Sequence, residues 1–176
     1  DQDILELTDS LTLLKGKHTF TLGTSNQFFK FRNLFIRDFF GTYSFTSLAN
    51  FQAGLAQSYD LSYSATSDPQ QAAKFGVRAY GFYAGDQWRV ANNVTVTLGL
   101  RVDMPTYPDT PNANPLAVTN FGYRTDITPK NTLYSPRIGF NYDLHGDGSE
   151  QVRGGVGIFA GRPPYVFISN QYGNTG

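Results

Sequence analysis

The 176-residue chain has no cysteine, one methionine, one tryptophan and two histidines. Without cysteine there is neither a disulfide framework nor a thiolate metal site. Lys+Arg and Asp+Glu balance at 14 each, so no basic excess points to nucleic acid. No apolar run approaches the ~18 residues that a membrane-crossing helix needs. No charged leader followed by an apolar core opens the chain. Helical periodicity is scarce.

The chain is instead rich in glycine (18), tyrosine (11) and phenylalanine (15), with many Thr and Asn. That mixture favours β structure, and period-two alternation is easy to find. Ile4 to Leu14 puts Leu5, Leu7, Leu11 and Leu13 on one face, which Asp9 interrupts. "KGK" at 15–17 is a tight turn, and His18 to Phe28 alternates again. A hairpin follows around "ANN". Tyr80, Phe82, Ala84 and Trp88 share one side of its first strand, with Asp86 intruding. Val94, Val96, Leu98, Leu100 and Val102 alternate with Thr95, Thr97, Gly99, Arg101 and Asp103 in the second. A second hairpin around "HGDGSE" sets Tyr134, Pro136, Ile138, Phe140 and Tyr142 against Ser135, Arg137, Gly139, Asn141 and Asp143. Its return strand sets Val152, Gly154, Val156 and Ile158 against Gln151, Arg153, Gly155 and Gly157.

The remaining segments connect these strands. Residues 30–75 begin "FKFRNLFIRDFFGTYSF", which has no clean face. "TSLANFQAG" reads as a short helix capped by Thr46 or Ser47 and ended by Gly54. "SYDLSYS" reads as a strand, and "SDPQQAAKF" as a turn leading into a helical turn. Residues 105–132 hold five of the nine prolines and read as a long loop without secondary structure. From Gly161 the chain leaves the last strand.

Short turns thus alternate with long connections. The expected fold is all-β: an antiparallel up-and-down meander of about six long strands. The two faces suggest its setting. The apolar one carries aliphatic residues in the middle and aromatics toward strand ends. The other mixes Arg, Asp, Asn and Gly across neighbouring strands, with almost no Lys. An aliphatic band between aromatic girdles is the outer surface of a transmembrane β-barrel. Val94, Val96, Leu98 and Leu100 then face lipid. Arg101, Asp103, Arg137, Asn141, Asp143 and Arg153 line the lumen wall, where arginine–carboxylate pairing is expected. Strict alternation puts Asp86 on the oily face; it lies at the membrane boundary, or a bulge turns it inward toward Arg101. The alternative is a small soluble β-domain that buries the apolar face and binds carbohydrate or peptide through aromatic loops.

No residue set suggests catalysis, so an enzyme is not expected. His145, Asp147 and Glu150 are close in sequence, but Gly-Asp-Gly is also what a tight turn uses, so no metal or cofactor is expected. Ligand contact is best sought in the aromatic, basic connections: Arg32, Phe35, Arg37, Phe39 and Tyr43 in the first, and Arg162, Tyr165 and Phe167 in the tail.

"YGFYAGDQWRVANNVTVTLGLRVDM" resembles the barrel of TonB-dependent outer-membrane transporters, through Tyr83, Asp86, Trp88, Leu98, Gly99, Arg101 and Asp103. "GKHTFTLG" and "YSPRIGFNYDLHGDGSEQVRGGVGIFAGRPP" resemble further hairpins of the same barrels. "GTYSFTSLANFQAG" and "RPPYVFISNQYGNTG" make the whole chain most similar to the Oar-like subfamily. The resemblance implies a 22-stranded barrel, of which residues 1–176 would be a fragment cut at both ends. It further implies a Gram-negative outer membrane, surrounding lipid, a plug domain, the TonB complex as partner and an unknown solute, peptide or glycan as ligand.

Overall fold

The computed structural model describes residues 1–64 and 67–173. The strands are β1 (Gln2–Lys15), β2 (His18–Asn33), β3 (Thr42–Ser44), β4 (Ser58–Asp60), β5 (Ala73–Ala91), β6 (Val94–Thr106), β7 (Leu133–Asp143) and β8 (Gln151–Gly157). Six of them form one antiparallel sheet in the order β1-β2-β5-β6-β7-β8. β3 and β4 form a separate two-stranded hairpin. The expected meander is therefore present, and β1 and β8 are its unpaired edges among the described residues.

The register shows how the sheet leans. His18 opens β2 and lies across from Trp88, which lies across from Val96. Val96 is already two residues inside β6, which opens at Val94. The second hairpin thus extends beyond the first at the turn end, a stagger of the kind tilted barrel strands require. The turns at 16–17, 92–93 and 144–150 lie at one end, and the long connections at the other.

Several segments differ from the sequence reading. β2 continues to Asn33, and β5 starts at Ala73 where a turn and helical turn were expected. The reason is mutual pairing: Phe29 meets Val77 and Phe31 meets Phe75. The 105–132 connection contains a helix, α2 (Pro115–Phe121). The Asn114 side chain accepts from the Leu116 and Ala117 amides, Pro115 fits the first turn, and Gly122 ends the helix at φ 72°. The tail forms α3 (Tyr165–Gly173). The first connection holds both the β3–β4 hairpin and the short helix α1 (Leu48–Gln52), with Ser47 as its cap.

The buried core is small and lies at the loop end. Phe29, Phe75, Val77, Tyr107 and Tyr165 form one cluster there. α3 crosses back from β8 to lie on β2 and β5. Its Tyr165 ring meets Phe29 at 5.1 Å and its Tyr172 ring stacks on Phe75 at 4.6 Å. The Asn33 amide donates to Ser169 Oγ at 2.7 Å.

Candidate functional site: two faces and a loop-end cleft

Cross-strand partners share a face, so the register sorts every side chain. One face carries Leu11, Leu13, Leu22, Ala84, Leu98, Leu100, Ile138 and Val156 in its middle. Phe20, Trp88, Phe140 and Tyr142 flank them toward the turns, and Phe28, Tyr80, Phe82 and Tyr134 toward the loops. No layer covers this face among the described residues: Leu5 is 69%, Ile138 51% and Val156 73% exposed. A soluble β-domain would bury that surface, so burial argues against this alternative.

Asp86 lies on this apolar face. The bulge sits beyond it, between Arg89 and Ala91, and does not turn it inward. Its carboxylate is held by His18 Nδ1 at 2.7 Å, close to the turn end. The His18 ring stacks between Phe20 and Trp88, at 5.3 and 5.5 Å. The two polar side chains pair within the aromatic row rather than face apolar surroundings alone.

The opposite face holds all six residues expected of the polar wall but, among the described residues, only one of the expected ion pairs. Arg101 Nε reaches both Asp103 oxygens at 3.0 and 2.9 Å, and Nη2 reaches Oδ1 at 2.7 Å. The other pairings are corrected. Asp143 turns to the 144–150 segment, where it accepts from the Gly146 and Gly148 amides at 2.8 Å each. Arg137 lies over Gly99 and faces the Phe159 ring at 5.8 Å. Arg153 has no carboxylate partner among the described residues, and Asn141 Oδ1 is buried without a hydrogen bond.

Glycines on this face seat their neighbours' long side chains. Gly99 lies across from Arg137, and a Cβ there would stand 3.0 Å from Arg137 Cγ. Gly23 lies across from Tyr83, and a Cβ would overlap the Tyr83 ring and stand 2.7 Å from the Asp9 carbonyl oxygen. Gly23→Val is therefore expected to destabilise the sheet by about 1–3 kcal/mol. A urea unfolding midpoint in detergent, compared with wild type, measures it.

The 144–150 segment closes the last hairpin as a glycine turn. Gly146 and Gly148 adopt φ 77° and 80°, and Asp147 accepts from the Ser149 amide. That bonding to Ser149 holds the Asp147 carboxyl below its usual range. His145 and Glu150 make an exposed pair at 3.4 Å.

The eight proposed contact residues fall in different places. Arg32 is the penultimate residue of β2; its guanidinium is 3.8 Å from Asp1. Phe35, Arg37 and Phe39 lie before the small hairpin, with Arg37 on Asp38 at 3.1 Å. Tyr43 packs on Tyr59 across that hairpin at 4.5 Å. Phe167 is exposed on α3, whereas Tyr165 is buried beneath it. Arg162 extends onto the polar face, donates to Gln27 Oε1 and lies 5.3 Å over the Phe29 ring. It thereby joins Arg101, Asp103 and Tyr165 in a cleft of about 270 Å³, also lined by Gln27 and Leu133. The sequence reading missed this aromatic end of the polar face. Its signal was Phe29, Phe31, Phe75 and Val77 at every second position.

Burial pushes the Tyr172 phenol up to about 12, with Asp109 and Tyr107 adding to the shift. Its hydroxyl donates to the Asp109 carbonyl at 2.7 Å. A raised acid favours its neutral form when folded. The docking of α3 is therefore at full strength below pH 10 and is expected to weaken as pH rises through about 12. Burial also raises the Tyr107 and Tyr165 phenols, so a phenolate absorbance titration should lose only part of its late absorbance rise in Tyr172→Phe.

An antiparallel meander with an exposed apolar face, a polar opposite face and its short turns all at one end is the wall of an up-and-down β-barrel. A family profile described as "Outer membrane beta barrel domain" matches residues 1–176, and the chain belongs to that family. Its place is the outer membrane. Searches of curated proteins and of solved structures found no match.

Proposed function

We propose that the chain is part of the barrel wall and outer loops of an Oar-like TonB-dependent transporter in a Gram-negative outer membrane. The observation that carries this reading is the pair of faces. The apolar face, with Val94, Val96, Leu98 and Leu100, contacts lipid. The polar face, with Arg101, Asp103, Arg137, Asn141, Asp143 and Arg153, lines the lumen. The two sheet edges, β1 and β8, unpaired among the described residues, support a segment of a larger barrel, because an open edge in hydrocarbon leaves backbone groups unsatisfied. The ordered motifs around Tyr83, Trp88, Gly99 and Arg101 support the transporter family and its subfamily.

On this reading the long loops capture a solute, peptide or glycan at the outer mouth. The cleft under residues 160–165 offers it Arg162, Gln27 and an apolar side. A plug moved by TonB then opens the route along the polar wall, and the chain performs no chemistry on its cargo. The test is retention of the full-length protein, in detergent, on the immobilised periplasmic domain of TonB. Retention that is lost on deleting the segment preceding the barrel is expected. An absence of binding would remove TonB from the account and leave the barrel intact.

A further inference from the structure

Basic side chains gather at one place on the turn end of the apolar face. Lys15 lies across from His18 and His18 from Trp88, so the three share one row of that face. The row continues through Val96, Phe140 and Gly154, which carry no charge. Lys17 follows in the turn and gives one ammonium proton to the Val90 carbonyl at 3.3 Å, which leaves it two more. Lys15 and Lys17 are exposed, and neither pairs with a carboxylate among the described residues. Asp86, in the next row toward the middle of the face, is already held by His18 Nδ1 at 2.7 Å. The other two turns differ. Residues 92–93 are both asparagine, and 144–150 carries Asp147 and Glu150.

The place of this row selects the anion. Phe20, Trp88, Phe140 and Tyr142 form the aromatic belt at this end, and such belts lie at the level of lipid headgroups. The short turns of these barrels face the periplasm. The leaflet on that side is phospholipid, and its anionic group is the phosphate. Directly opposed side chains stand about 5 Å apart at Cβ, so Lys15 and His18 can reach one phosphate together. The His18 ring is fixed by its stack with Phe20 and Trp88 and by its contact with Asp86. Its Nε2 points away from Asp86 and has no partner among the described residues; in the imidazolium form it donates. Two cations directly opposite each other repel, and an anion between them removes that repulsion.

We propose that Lys15, Lys17 and His18 hold the phosphate of a periplasmic-leaflet phospholipid, whose acyl chains lie along the Leu13–Phe20 and Leu11–Leu22 rows. The proposal rests on the apolar face being the lipid face, and the experiment separates the two claims. The full-length protein in maltoside micelles is irradiated with a phosphatidylglycerol that carries a photo-reactive diazirine. A diacylglycerol with the same chains and diazirine is the phosphate-free comparison, and labelled residues are mapped by mass spectrometry. Phosphatidylglycerol is expected to label residues 11–22 several-fold more than diacylglycerol does. Combined Lys15→Gln and Lys17→Gln should cut that labelling roughly tenfold or more. Lys15→Arg with Lys17→Arg should keep it. Arg89→Gln should leave it unchanged, because Arg89 lies across from Thr95 on the opposite face. Resistance of the folded barrel on unheated detergent gels checks assembly of each variant. Equal labelling by the two probes, or labelling unchanged by the glutamine substitutions, overturns the headgroup site and leaves the lipid face standing. Labelling that is competed by lipopolysaccharide and not by unlabelled phosphatidylglycerol overturns the assignment to phospholipid. Labelling at Thr95 and Thr97 in place of Val94 and Val96 overturns both the site and the face.

Discussion

Leu98→Arg is expected to prevent assembly of the barrel in the outer membrane. Leu98 lies on the apolar face between Ile138 on one strand and, on the other, Asp86, whose carboxylate His18 already holds. Its side chain is 42% exposed, and no layer covers that face among the described residues. With lipid as the cover, an arginine there costs up to about 2–4 kcal/mol, the figure for the midplane, a large share of the stability of any folded domain. Thr97→Arg, one residue away, is the control. It projects from the opposite face, beside Gly139, where nearby side chains are few, and should assemble like wild type. The measurement is the fraction of protein in purified outer membranes that stays compact on an unheated detergent gel. A near-complete loss for Leu98→Arg with near-normal Thr97→Arg is the expected pattern.

Tyr165→Ala is expected to release α3 while leaving the sheet folded. Tyr165 is among the few buried hydrophobic residues of the chain, and its ring touches both Phe29 and Phe31. Truncating a buried aromatic costs about 3–5 kcal/mol. The other groups that hold α3 include the Phe75–Tyr172 stack, the Tyr172 hydroxyl donating to the Asp109 carbonyl, the Asn33–Ser169 hydrogen bond and Gln171 donating to the Thr125 and Ile127 carbonyls. Hydrogen exchange of residues 160–173 should accelerate by roughly a hundredfold. Exchange in β5 and β6 should not change, because their ladder bonds do not involve the tyrosine. Acceleration across the whole sheet would mean that α3 docking is integral to the fold.

The sheet was legible in the sequence because alternation over Val94–Val102 and Tyr134–Tyr142 leaves no room for another period. The turns were legible through "KGK", "ANN" and Gly-Asp-Gly. The helix at 115–121 was overlooked although Asn114, Pro115 and Gly122 are ordinary start and stop signals; five prolines in the surrounding connection outweighed them. The loop-end core was harder to see. In "FFKF" adjacent phenylalanines point to opposite faces, so Phe28 meets Tyr80 on one side and Phe29 meets Tyr165 on the other. Which face receives α3 depends on residues more than 130 positions apart. The fate of Asp143 was equally hidden, since Arg137 and Arg153 share its face and the competing amides of Gly146 and Gly148 exist only once the turn has formed.

The assignment of the two faces underlies the whole account, and adjacent spin labels test it most directly. The chain has no cysteine of its own, so Val96→Cys and Thr97→Cys each place a single nitroxide within residues 1–176 of the full-length protein. In reconstituted bilayers the label at 96 should be relaxed strongly by oxygen, which concentrates in hydrocarbon, and weakly by a water-soluble nickel chelate. The label at 97 should show no such preference for oxygen. The reverse order, or equal response at both positions, would contradict the account.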